Sequence, residues 1–129
     1  MTIKVLWMLK RKPGTTHEQF REHYERSHAA IGRKYIGHLL LSYKRNYQIE
    51  AWGGTSSDPE GFRRRPFDYD CVTELIVADE EAYEEMGRIF AEPAAGAELF
   101  EDELKFLDRE AYVMLRCDEV IDHDIRGPG

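Results

Sequence analysis

Four short stretches of this chain are apolar at consecutive positions: Leu6-Trp7-Met8, Leu39-Leu40-Leu41, Leu75-Ile76-Val77 and Val113-Met114-Leu115. Successive side chains of a β-strand point to opposite faces of its sheet, so a strand that does not alternate is apolar on both faces. The patterns between these stretches are helical, and helices packed on such a sheet cover one face only. An apolar face left in water would exceed the patch of roughly a few hundred Å² that soluble monomers expose. The expectation is a homodimer in which a second copy of the sheet lies face to face with the first.

The order of elements follows from turn and capping signals. Met1 to Arg11 reads as a strand that ends at Pro13-Gly14. Thr15-Thr16-His17-Glu18 reads as a capping box with Thr15 as the cap. The helix behind it carries Phe20, Tyr24, His28, Ile31 and Tyr35 on one stripe. A second strand is expected over His38 to Ile49, with Leu39, Leu41, Tyr43, Arg45, Tyr47 and Ile49 on one face. Residues 51–67 are rich in Gly, Ser and Pro and read as a long loop, either a lid or an interface element. Tyr69 to Val77 is the third strand. Asp79 caps a helix with a Tyr83, Met86, Gly87 and Phe90 stripe, and a further helix after Pro93 carries Leu99, Phe100, Leu104 and Leu107. Glu110 to Ile121 is the fourth strand, and 122–129 is a flexible or exchanged tail. The expected fold is α+β: a ferredoxin-like β-α-β-β-α-β unit with a four-stranded antiparallel sheet, forming a dimeric barrel.

The length of 129 residues suits one domain over 1–129. Eighteen Lys and Arg against 25 Asp and Glu give a formal net charge of −7, which repels phosphate backbones and anionic lipid. Nucleic acid and membranes are therefore not expected partners. Cys71 and Cys117 have no C-x-x-C spacing and read as reduced thiols, and no export signal is visible, so a cytoplasmic location is expected.

The stretch VLWMLKRKPGTTHEQFREHYERSHAAI, with YKRNY and FDYDCVTELIVAD, resembles the EthD-domain family of dimeric α+β barrel proteins. The resemblance runs roughly from Ile3 to Val120. It implies a small-molecule site between the sheet and the helices of each subunit. The wider superfamily includes polyketide cyclases, muconolactone-type isomerases, quinone-forming monooxygenases and haem-handling enzymes. EthD-domain proteins include candidate dehydratases and decarboxylases of aromatic polyketide pathways. The helix end usually reads H-A-P-L in that family; here it is His28-Ala29-Ala30-Ile31, which frees the backbone around the histidine.

His28 is the leading catalytic candidate: it shares the inward stripe, and an imidazole there can take or give a proton near neutrality. The alternative is a structural histidine that caps the helix end. Tyr35 and Tyr43 either aim a phenol into a cavity or pack as amphipathic walls. Asp70 and Glu74 lie four apart on one strand, hence on one face. Either could orient His28 or act as base, or form a salt bridge with Arg45, Lys44 or Arg116. Trp7, Tyr47, Phe67, Phe90 and Phe106 either supply aromatic walls suited to a flat ligand or pack as ordinary core. Arg63-Arg64-Arg65 could hold an anion at a pocket mouth or be a solvated run; Arg45 and Arg116 are further cations for an anionic ligand. The histidines lack zinc-ligand spacing, and no phosphate loop or nucleophile motif is present.

Three functional readings follow. The first is an enzyme without metal or organic cofactor, performing dehydration, decarboxylation, cyclisation or isomerisation on an aromatic or polyketide-like molecule. His28 would be the acid/base, helped by Glu74 and Tyr43, with Trp7, Tyr24, Tyr35, Tyr47, Asp70 and Phe90 binding substrate. The second is a cofactor-light monooxygenase of the same superfamily. The third is an accessory protein that binds an aromatic ligand without changing it.

Overall fold

The computed structural model describes residues 1–54 and 61–127. Positions 55–60 of the expected long loop and the last two residues of the expected tail lie outside the described residues. The elements in chain order are β1 (Ile3–Leu9), α1 (His17–His23), a π-helical turn (Tyr24–His28), α2 (Ala29–Ile36), β2 (Leu40–Tyr47), β3 (Ala51–Gly53), β4 (Arg63–Arg65), β5 (Cys71–Val77), α3 (Glu80–Ala91), α4 (Pro93–Phe106) and β6 (Val113–Cys117). The main sheet has the order β2-β5-β1-β6, and every neighbouring pair is antiparallel. This is the expected ferredoxin-like α+β arrangement: β2 and β5 are direct neighbours, and the β1-to-β2 and β5-to-β6 crossovers carry the two helical segments.

Alternation in β5 divides the two faces. Cys71, Thr73, Leu75 and Val77 are buried, while Val72, Glu74 and Ile76 are half-buried on the other side. Ile3, Val5 and Leu9 of β1 join the inner face, where they meet Ile36, Met86, Ile89 and Ala95 at one end and Phe20, Tyr24 and Phe106 at the other. Cross-strand partners share a face, so Leu6, Met8, Val72, Val113 and Leu115 form an apolar strip outside. That strip is interrupted by Glu74, which sits opposite Leu6 and Lys44 and pairs with Lys4 at 3.0 Å and Lys44 at 3.7 Å. The outer face is therefore apolar over much of β1, β5 and β6, with an ionic cluster set into it, and polar along β2 at Ser42, Lys44 and Asn46.

Several sequence expectations are corrected by local geometry. A bulge between Leu40 and Ser42 breaks the simple alternation of β2. Leu41 is left exposed, and Leu40 packs with Tyr43 against the core. The first helix is capped by Thr16 with Gln19, not by Thr15 with Glu18; Thr15 instead donates its hydroxyl to the Lys12 carbonyl at 2.6 Å. Residues 51–67 are not a plain loop, because β3 and β4 pair as a small ribbon. In α4 the buried stripe is Ala95, Leu99, Asp102, Glu103 and Phe106, whereas Phe100 and Leu104 are exposed. Two carboxylates thus stand where the apolar pattern pointed to Leu and Phe.

Candidate active site

Between the inner sheet face and the helices lies a cavity of about 330 Å³. Its walls are mainly apolar and aromatic, with Trp7, Tyr24, Tyr43, Phe90 and Tyr112 among them. Trp7 comes from β1, Tyr24 and His28 from the π-helical turn, Tyr43 from β2 and Phe90 from α3. The sheet and both helical layers therefore build the site. Gly32 also lines it, and a Cβ there would meet the Tyr43 hydroxyl at an ordinary contact distance of 4.0 Å.

His28 lines the cavity, and its Nδ1 lies 3.0 Å from Oδ2 of Asp102. Asp102 is buried in α4 and also meets His23 Nε2 at 3.0 Å and accepts from the Ser27 hydroxyl at 2.8 Å. The π-helical turn explains why histidines five apart share one carboxylate. Bonding from i to i+5 makes residues five apart face the same way, which a regular α-helix would not do. Burial pushes the Asp102 carboxyl upward, but the Ser27 hydroxyl and both histidines hold it below its ordinary value. An ionised carboxylate only accepts, so the His28 proton sits on Nδ1. Burial holds His28 below the ordinary imidazole value even against Asp102. The result is a neutral ring with a lone pair on Nε2, the form a general base requires.

A chain of hydroxyls runs along the floor. Tyr43 donates to the Tyr24 oxygen at 3.0 Å, and Tyr24 lies 2.7 Å from the Thr73 hydroxyl. Burial raises both phenols above their ordinary value, so they remain protonated at neutral pH. Cys71, behind Thr73, is pushed up to about 11 by burial and is no thiolate nucleophile. On another wall Glu103 accepts from Arg109 at 2.6 Å, and the Arg109 guanidinium lies over the Phe100 and Tyr112 rings. The Trp7 indole N–H is the one buried side-chain polar atom without a partner among the described residues. The described residues contain no group of three or more His, Cys, Asp or Glu side chains placed to hold a metal ion.

Of the residues singled out in the sequence, the structure brings together His28, Tyr43, Trp7, Tyr24 and Phe90. Four others stand elsewhere. Glu74 is on the opposite face of the sheet, so it cannot orient His28; the carboxylate in that place is Asp102. Asp70 is buried at the start of β5, where it accepts from the Arg11 backbone N–H at 2.7 Å and guanidinium at 3.0 Å and meets His17 at 2.9 Å. Tyr35 donates to Glu98 at 2.8 Å, and Tyr47 donates to Glu25. The expected cations are also occupied: Arg45 by Glu25, Arg116 by Glu80, and Arg64 by Glu50 at 3.5 Å. Asp102, Glu103 and Arg109 were missed. A signal existed for the first, since Asp102 lies three residues after Leu99 and four before Phe106, on an apolar helical stripe.

The EthD domain model matches residues 12–110. This chain belongs to the EthD domain family. Among solved structures, this EthD protein is similar to an EthD family protein from Bacillus halodurans, at 21% identity and a TM-score of 0.59, covering 93% of this chain and 100% of that one. An EthD-like protein from Ralstonia eutropha matches at 17% identity and a TM-score of 0.63, with 97% of each chain covered. A protein described as dimeric, ferredoxin-like and of unknown function, from Thermobifida fusca, matches at 12% identity and a TM-score of 0.50, covering 91% of this chain and 90% of that one. At these identities the likeness concerns the fold. A search of the curated proteins returned no match. No helix among the described residues of this EthD protein is long and apolar enough to cross a membrane.

Proposed function

We propose that this EthD protein is an enzyme of lyase or isomerase type that uses no metal or organic cofactor and acts on an aromatic or polyketide-like small molecule. One observation carries the reading: a neutral, cavity-lining His28 whose Nδ1 is held by a buried, ionised Asp102. His28 Nε2 would take a proton from a carbon or hydroxyl of the substrate. The imidazolium would then return that proton to the leaving oxygen, or to carbon in an isomerisation. Asp102 stabilises the imidazolium in between, as a carboxylate does behind any catalytic histidine. The Tyr43 and Tyr24 phenols supply hydroxyls beside the ring, and the aromatic walls keep water away from the reacting atoms. Dehydration, cyclisation and decarboxylation all fall within this machinery.

The active unit is proposed to be a homodimer. The apolar strip of Leu6, Met8, Val72, Val113 and Leu115 lies on the face that the helices leave uncovered, and Glu74 with Lys4 and Lys44 gives it an ionic register mark. Sedimentation at micromolar concentration checks the dimer, and a monomer would refute it. The chemistry is tested by His28→Gln on a panel of hydroxylated aromatic ketones. Turnover should fall at least a hundredfold. Full turnover by the variant, or uptake of dioxygen during the reaction, would overturn the proposed mechanism.

A further inference from the structure

The charged groups of the cavity allow a narrower statement about its ligand. The lining side chains that carry or can carry charge are His28, Glu103, Arg109 and three tyrosines, with Asp102 directly behind His28. His28 is neutral and the phenols are protonated, as burial dictates. Arg109 is the single cation among the described lining residues. Its guanidinium is not free: Glu103 Oε2 lies 2.6 Å away, and the Phe100 and Tyr112 rings lie 4.7 and 5.5 Å from the guanidinium carbon. Glu103 itself has a side chain only 11% exposed, so its carboxylate depends on that one partner.

From this arrangement, we infer that Glu103 sets the ligand class of the cavity: by neutralising Arg109 it makes the site select an uncharged oxygenated aromatic, such as an aryl ketone or phenol, over the matching aryl carboxylate. The inference rests on the cavity being the ligand site of the proposed enzyme. A carboxylate entering it would meet no unpaired cation, would lie near the Asp102 charge, and would leave its own hydration unreplaced. A neutral ketone or phenol loses little water on entry, and a phenol O–H can donate to the free Nε2 lone pair of His28. Among the reactions above, dehydration and cyclisation of neutral substrates then fit the site, and decarboxylation of a free aryl acid does not.

The test uses two probes of one shape, 1-acetonaphthone and 1-naphthoate, at pH 8, where the acid is fully ionised. Binding to the full ¹⁵N-labelled chain is read on the Trp7 indole resonance, assigned by Trp52→Phe. The ketone should bind at least tenfold more tightly than the acid. Glu103→Gln keeps the side-chain shape and frees the guanidinium, and it should strengthen naphthoate binding at least tenfold. The doubled variant Glu103→Gln, Arg109→Met removes both charges together, so it should return the preference to within about twofold of wild type. Equal binding of the two probes by wild type would overturn the inference, as would a naphthoate gain in Glu103→Gln that persists when Arg109 is also replaced by Met. If neither probe moves the Trp7 signal, the cavity is not the ligand site and both readings fall. If His28→Gln retains turnover while the ketone preference stands, only the catalytic reading falls.

Discussion

Asp70 and Asp102 are two buried aspartates, 1% and 3% exposed, and each bonds a histidine from the first helical region. Burial pushes both upward, and hydrogen bonds from their partners hold both below the ordinary carboxylate value. Yet their surroundings give them different work. Asp70 ties the end of β1, through the Arg11 backbone and guanidinium, to His17 at the start of α1. His17 packs on Phe67 and Tyr47, outside the cavity, so this cluster is a clasp. Asp102 ties α4 to the π-helical turn, and the far side of its histidine opens on a cavity. A buried Asp–His pair is therefore a site only when the second nitrogen of the ring has somewhere to send a proton.

The predictions press on that contrast, and the largest effect belongs to Asp102→Asn. An amide can donate to His28 Nδ1 and so favour the wrong tautomer, and kcat/KM should fall about a thousandfold, with the fold intact by circular dichroism. Asp70→Ala should do the reverse. It leaves the Arg11 backbone N–H and the His17 ring without their acceptor, costing about 1–3 kcal/mol in urea unfolding, with kcat/KM of the folded fraction unchanged. Comparable turnover loss in both variants would erase the distinction between clasp and site.

A pH titration gives a smaller, signed effect. His28 has a lowered folded value, so its contribution to stability is complete above the unfolded value of 6.5 and is lost as pH falls through the folded value. The two aspartates are also lowered, so theirs is complete above 3.8 and is lost at still lower pH. Urea midpoints should therefore drop in two steps on acidification. His28→Gln should remove the upper step and Asp70→Asn should shrink the lower one. The same histidine should give kcat/KM an acid limb centred below 6.5. The smallest effect is expected for Glu74→Gln on the opposite sheet face. Its pairs with Lys4 and Lys44 lie across the sheet from the cavity, so turnover per folded dimer should change by less than twofold.

The legible half of the site came from periodicity. Phe20, Tyr24 and His28 recur on one stripe, Trp7 sits at a strand centre, and Phe90 closes a helical pattern; each lies where its element's period aims it. The errors have local causes. Glu74 and Asp70 are four apart on one strand, yet only Glu74 belongs to the regular outward alternation; Asp70 precedes β5 and turns into the clasp. Tyr35 and Tyr47 found carboxylates in Glu98 and Glu25. Asp102 and Glu103 escaped notice because a carboxylate on a helix reads as solvent-facing by default.

The sequence by itself determined the order of the main-sheet strands and helical segments, the ferredoxin-like topology, the uncovered apolar strip outside and the inward direction of His28, because strand and helix periods are local properties of a chain. What only the tertiary structure decided is which carboxylate meets which histidine. Asp102 lies 74 residues from His28 and Asp70 lies 53 from His17. Pairings of that separation are set by how helices dock on a sheet, and here also by a π-helical turn that swings two histidines onto one oxygen pair. Such geometry has no signature in spacing along the chain.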